Sequence, residues 1–280
     1  QRVPDNEVVL LPNVYVIGEV DLKDTSNFLG SPDLIEYAIK KGWYNPAGGE
    51  EFNFSEAYGQ PQKPLIDERQ WRGQCLVTGE NIKKEPDRKL PFSVKPARKL
   101  SVKDVISILR FHGEGSLCNN ATQEAAVFQL RSNMPVDIGC IYWRCSAEPC
   151  SSILTPWYCG INETPKEYYK AVDVKENLTL ECHFSESPDK FKPDAGMAWW
   201  IFKGLQDKVN ACYQSRIGIV RAACDEYEEK VFAAQLAVEK KAMDLYRNDK
   251  PAARPYLTDY SMAVALNAVD MARELTKQFK

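Results

Sequence analysis

The segment Gly139–Gly160 (GCIYWRCSAEPCSSILTPWYCG) constrains this chain more than any other. It sets Tyr142, Trp143, Trp157 and Tyr158 between four cysteines, after Gln129–Pro135 and ahead of Asn162-Glu163-Thr164-Pro165. Ile141, Tyr142 and Trp143, and later Ile153, Leu154, Trp157 and Tyr158, favour a pleated, half-buried surface. The segment therefore reads as two strands joined at Glu148-Pro149-Cys150-Ser151.

Around this hairpin the chain changes character once. Val8–Leu11 and Val14–Val20 are β-rich runs broken by Pro12-Asn13, and Gln70–Val77 is a further candidate strand. Ser31-Pro32-Asp33 is a start signal for a short helix through Lys41. Gly42, Pro46, Gly48 and Gly49 mark a loop, and Gln60–Pro64 another. Asp87–Pro96 is a charged connection, after which Ser101 caps a helix over Val102–Phe111, with Val105, Ile106 and Leu109 on one face. Ala125–Leu130 and Ile138–Trp143 read as neighbouring strands. Beyond Pro193, Trp200, Leu205, Val209, Cys212 and Val220 recur at helical spacing, and Val231, Val238, Ala242 and Leu245 continue the pattern. Lys250–Pro255 breaks it, and Thr258 or Asp259 caps a last helix carrying Met262, Leu266, Val269, Ala272 and Leu275. This is an α+β order: a strand-rich part over 1–195 and a helical segment over 196–280 packed on the same domain.

Composition excludes several classes. With 280 residues, 44% apolar and 27% charged, six Trp and thirteen Tyr, the chain is globular rather than disordered. A net charge of −3 gives no electrostatic case for nucleic acid or an anionic membrane. No apolar run approaches the ~18 residues of a membrane span. Nine cysteines make an odd count, so at least one is free or pairs outside the chain. Sequons at Asn53, Asn120, Asn162 and Asn177 matter only in a glycosylating secretory pathway, and with the cysteines they favour an extracytoplasmic home, periplasmic or secreted, with the cytoplasm as the alternative.

Candidate sites have bland readings beside the chemical ones. Cys140, Cys145, Cys150 and Cys159 lack the close-pair spacing of a zinc site and have no His nearby, so we expect packed or disulfide cysteines and no metal. The two histidines, His112 and His183, offer no credible partner for a cysteine nucleophile; His112 ends a helix and reads as a surface or capping residue. Gly113-Glu114-Gly115 makes no phosphate loop. Asn13 reads as a turn residue, and Arg69 and Arg72 as solvated arginines beside a buried Trp71.

The chain also resembles the dipeptidase A family of cysteine hydrolases, relatives of secernin and of the bile-salt and penicillin V acylases. The resemblance rests on Arg2–Val8, Leu11-Pro12-Asn13, Asp21-Leu22, Ser26–Leu29, Gly42-Trp43-Tyr44, Phe52-Asn53-Phe54, Arg69-Gln70-Trp71, the Gly139–Gly160 block and Ala198-Trp199-Trp200. It implies the carboxy-terminal portion of a four-layer αββα N-terminal-nucleophile hydrolase that cleaves dipeptides without a cofactor. In such enzymes an amino-terminal Cys attacks the amide, with its own amine as base. By order along the chain, Asn13 resembles the family's oxyanion-binding Asn and Arg69 its thiolate-stabilising Arg, with Arg72 the next candidate.

We expect the nucleophile to lie outside residues 1–280, on an amino-terminal segment or chain that is the implied partner, and the isolated chain to be inactive. A small peptide is the implied substrate, and self-association is open. An acylase acting on N-acyl amino acids and a non-enzymatic secernin-like binding protein are the alternatives.

Overall fold

In the computed structural model, the described residues are 1–59, 67–84, 90–169, 180 and 192–279. The loop expected over Gln60–Pro64, the start of the charged connection Asp87–Pro96 (residues 87–89), His183 and the Asn177 sequon lie outside them. The chain is mixed helix and sheet, and its compact units are Gln1–Leu117 and Cys118–Lys280. The change near residue 195 is one of sequence character; the compact units divide at Leu117–Cys118.

The first unit holds β1 (Val8–Val9), α1 (Leu34–Lys40), α2 (Phe54–Tyr58), α3 (Glu68–Thr78), β2 (Ser93–Val94) and α4 (Val102–Leu109). β1 and β2 form a short antiparallel pair, with Val8 opposite Val94. The expected strand over Val14–Val20 is absent, because its backbone groups pair irregularly with the segment that opens α2. Phe54 N–H donates to Gly18 O, Ser55 N–H to Ile17 O, and Val20 N–H to Phe52 O. Only Glu19 and Asn53 make a bridge there. Asn53 then caps α2 by accepting from Glu56 N–H. Ala38, Phe52 and Ala57 are the buried centre of this region, with Tyr44, Phe54 and Tyr58 packed around them. Phe54 stacks on Tyr58 at 5.0 Å and Trp43 meets Tyr58 edge-on at 5.3 Å. The expected helix after Ser101 is present: Ser101 and Asp104 form a reciprocal capping box at the start of α4.

The second unit is a three-stranded antiparallel sheet with long helices. β3 (Glu124–Gln129), a helical turn α5 (Val136–Gly139), β4 (Ile141–Ser146) and β5 (Thr155–Tyr158) precede α6 (Ala198–Ala211), α7 (Tyr213–Asn248) and α8 (Ala253–Gln278). The strand order is β3-β4-β5, with Val127, Trp143 and Pro156 in one cross-strand row and Gln129, Ile141 and Tyr158 in the next. Those rows share a face, and α7 and α8 cover it. Trp143 stacks on Phe232 at 4.4 Å, and Tyr158 meets Tyr260 edge-on at 6.2 Å. Phe202, Leu205 and Val209 of α6, Val220 and Cys224 of α7, and Ala268, Val269, Ala272 and Leu275 of α8 close the core over Ala147 and Ile153.

Two sequence expectations for the helices change. The periodic run through Cys212 is two helices, because Cys212 leaves helical geometry with φ −148° and ψ 57°. The last helix starts at Ala253, not at Thr258 or Asp259. Pro255 falls in its first turn, where its missing N–H is no loss. Thr258 instead turns its hydroxyl back to Arg254 O at 2.8 Å.

A polar network ties sheet to helix. Arg131 makes a two-pronged ion pair with Glu239 of α7, at 2.9 and 2.7 Å, and donates to Gly139 O and Ile138 O. Gln235 and Tyr158 also donate to the Glu239 carboxylate. Glu239 is buried and Arg131 is partly so, and removing one partner of such a pair strands the other. Glu239→Ala should therefore lower unfolding stability by about 3 kcal/mol in urea denaturation, with an unchanged m-value.

Candidate active site

Helix α3 was expected as a strand, and its residues show why it is helical. Asp67 accepts from Arg69 N–H at 2.9 Å and Gln70 N–H at 3.1 Å, closing the amino-terminal turn. Gly79 ends the helix in the left-handed conformation, φ 73°, with its N–H on Cys75 O. Between them Gln70, Trp71, Gln74, Cys75 and Val77 are buried at helical, not alternating, spacing. Asp67, Glu68 and Gly79 were the available sequence signals, and the β-rich look of Trp71 and Val77 outweighed them.

Arg69 thus sits in the first turn of a helix rather than beside a strand. Its Nε lies 3.9 Å from the Asp67 carboxylate, and its side chain is 39% exposed. Asn13 is an exposed residue in a bend. The expectation that two neighbouring strands carry Asn13 and Arg69 to one sheet end is therefore corrected. What joins their segments is a close approach three residues before Asn13. Leu10 packs against α3 at Gly73, where an added Cβ would stand 2.7 Å from Leu10 Cδ1. Gly73 is one helical turn beyond Arg69, so the Asn13 segment is anchored to the helix that carries Arg69.

Arg72 lies beside Trp71, as its bland reading has it, but it is partly buried and paired with Glu114 rather than solvated. Its guanidinium lies 4.3 Å from the Trp71 ring centre and 5.1 Å from that of Phe111, and Nε donates to Glu114 O at 2.8 Å. Trp71 is buried and gives its indole N–H to Ile82 O at 2.6 Å.

The sequence reading missed the charges gathered here. Lys84 lies 4.1 Å from the Trp71 ring centre and pairs with Glu114 at 2.7 Å and Glu68 at 3.0 Å. Its hydrogen bonds to Glu114 and Glu68 hold the Lys84 amine above its ordinary range, and Lys84 holds Glu114 below the usual carboxylate range. The contacts span long sequence separations, which no local pattern displays. Gly115 makes the cluster fit: its φ is +69°, and a Cβ would come 2.6 Å from Glu68 O and 2.9 Å from Arg72 Cβ.

As for metal donors, Cys118 Sγ, a Glu148 carboxylate oxygen and Cys150 Sγ lie within 4.8 Å of one another, all on buried residues. Among the described residues Cys140, Cys145 and Cys159 join no such set. Cys140 and Cys159 are instead backbone neighbours, with Cys159 N–H on Cys140 O at 3.0 Å. His112 is exposed beyond the end of α4.

Two substitutions test this geometry. Gly115→Ala should cost on the order of 2 kcal/mol or more, since it combines left-handed strain with a backbone clash. Asp67→Ala should cost about 1 kcal/mol through loss of the cap. Equilibrium denaturation reads both, and near-zero change in Gly115→Ala would refute the backbone conformation described.

Residues 1–119, which include Asn13, α3 with Arg69 and Arg72, and the Lys84–Glu114 cluster, match the model for peptidase family C69. A probable dipeptidase of Latilactobacillus sakei is 25% identical over 267 residues, covering 86% of this chain and 52% of that protein. A probable dipeptidase of Salmonella dublin is 28% identical over 180 residues, covering 57% of this chain and 41% of the relative. Probable dipeptidase B of Lactococcus lactis is 27% identical over 195 residues, covering 61% and 40%. The chain spans about half the length, or less, of the curated relatives it matches. The family match over residues 1–119 and the likeness to probable dipeptidases over longer spans coincide with the resemblance read from the sequence.

Proposed function

We propose that this chain is part of a cysteine-type amidohydrolase that cleaves dipeptides, built on the four-layer αββα N-terminal-nucleophile plan, with the nucleophilic Cys outside residues 1–280. The observation that carries this reading is the family match over residues 1–119, which contains both Asn13 and Arg69. The dipeptidase names of the relatives support the substrate class. About half or more of each relative's length lies outside the match, ample for a segment bearing the nucleophile.

In this mechanism the thiolate attacks the peptide carbonyl carbon and the free α-amine of the nucleophilic Cys takes the thiol proton. The Asn13 side-chain amide donates to the oxyanion as it forms. Arg69 stabilises the thiolate, and its place in the first turn of α3 adds the positive end of a helix dipole to its own charge. The proton then passes to the leaving amine, and water hydrolyses the acyl-enzyme by the same route. Asp67, hydrogen-bonded to the Arg69 and Gln70 amides, holds that turn in place.

Asn13→Ala in the complete enzyme should lower kcat by about 10²–10³ with little change in melting temperature, as for loss of one oxyanion donor. Arg69→Lys should also impair kcat, because an ammonium cannot reproduce a planar fork. Normal turnover by Asn13→Ala would remove Asn13 from the mechanism and leave only the family relationship.

A further inference from the structure

We propose that Cys118 and Cys150 are joined as an intrachain disulfide when this protein folds under oxidising conditions. Their sulfurs lie within 4.8 Å of one another on residues 0% and 3% exposed. The sulfurs are thus near enough for a modest approach to bring them to a bond of about 2 Å.

The two segments are already held together by other means. Gln206 of α6 donates from Nε2 to Asn120 O at 3.2 Å and to Glu148 Oε1 at 3.0 Å, so one amide clamps the chain two residues after Cys118 to the chain two residues before Cys150. On the Cys118 side, Asn119 N–H donates to Thr122 Oγ1 and Ala121 N–H to Asn119 Oδ1, fixing the turn into β3. On the other side, Arg221 of α7 donates to Cys150 O and Ser152 O, both at 3.0 Å. Both cysteines therefore lie on segments that the helices already hold. The bond would close a loop containing β3, α5 and β4, and by constraining the unfolded chain it would stabilise the sheet.

The chemistry is thiol–disulfide exchange with an external disulfide such as oxidised glutathione. Cys118 and Cys150 together give up two protons and two electrons, one S–S bond forms, and the oxidant leaves as two thiols. Contact with the Cys150 thiol and burial hold the Cys118 thiol well above its ordinary range. The nucleophilic thiolate is thus scarce once the fold is complete, so the bond forms as the chain folds and is then shielded from reductant. That makes it a structural staple. It also takes Cys150 out of any metal site.

The test is a peptide map of the complete protein, refolded in a glutathione redox buffer, denatured and alkylated without reductant, then digested. The expected result is a linked pair of peptides carrying Cys118 and Cys150 that disappears on reduction. Reduction of the intact protein should also lower its melting temperature by about 5–10 °C. The Cys118→Ser/Cys150→Ser double variant should melt with the reduced protein and ignore reductant. Alkylation of both residues in the unreduced sample, linkage of either to a different cysteine, or stoichiometric zinc with both thiols free would each overturn the proposal. Should the double variant fail to fold, the peptide map of the wild-type protein still decides.

Discussion

The second unit depends on one constraint: the turn between β4 and β5 is buried, and a buried turn must have its polar groups paired by protein. From Ala147 to Leu154 every residue is buried. Ala147 holds a left-handed φ of 62° to enter the turn, and its N–H donates to Gln123 O at 2.8 Å. The helices satisfy much of the rest. Gln206 and Asn210 of α6 both donate to Glu148 Oε1 at 3.0 Å. Arg221 takes two turn carbonyls, and Glu228 accepts from Leu154 N–H at 2.8 Å. Each such side chain would be costly to bury without its partner, so hairpin and helices specify one another. With the turn seated, Trp143 reaches Phe232 and the Arg131–Glu239 pair closes the far end.

In the first unit the same logic works on a smaller scale. A two-strand pair and short helices bury little apolar surface, and caps and aromatic contacts do much of the positioning. Asp67 and Gly79 bound α3, Leu10 enters at Gly73, and Trp71 is held between a carbonyl and two cations. The functional proposal draws on this arrangement. An arginine in a capped first turn is held at its backbone while its charged end remains half-exposed, which suits a group meant to meet a thiolate.

The sequence made the hairpin legible because its signal is local: aromatic and β-branched runs on either side of Glu148-Pro149. The capping box at Ser101 and the helices beyond Pro193 were legible for the same reason. Errors came where a local signal competed with a stronger local one or with a tertiary partner. α3 resembled a strand in composition, yet Asp67 and Gly79 bounded a helix. Val14–Val20 had strand propensity, but its carbonyls found the α2 entry instead of a neighbouring strand. Cys212 lay on the helical period and still became the break. The long-range contacts, Lys84 with Glu114, Gln206 with Glu148 and Cys118 beside Cys150, left no periodic trace.

The central claim is that this chain supplies oxyanion and thiolate stabilisation to a cysteine nucleophile it does not itself carry. Trapping the acyl-enzyme tests it most directly: the complete protein is quenched in acid during dipeptide turnover, digested, and the acylated residue is located by mass spectrometry. The account predicts a single acyl group of one amino-acid residue on an amino-terminal cysteine outside residues 1–280. Acylation of any of the nine cysteines within this chain, or turnover with no acyl-enzyme, would contradict it.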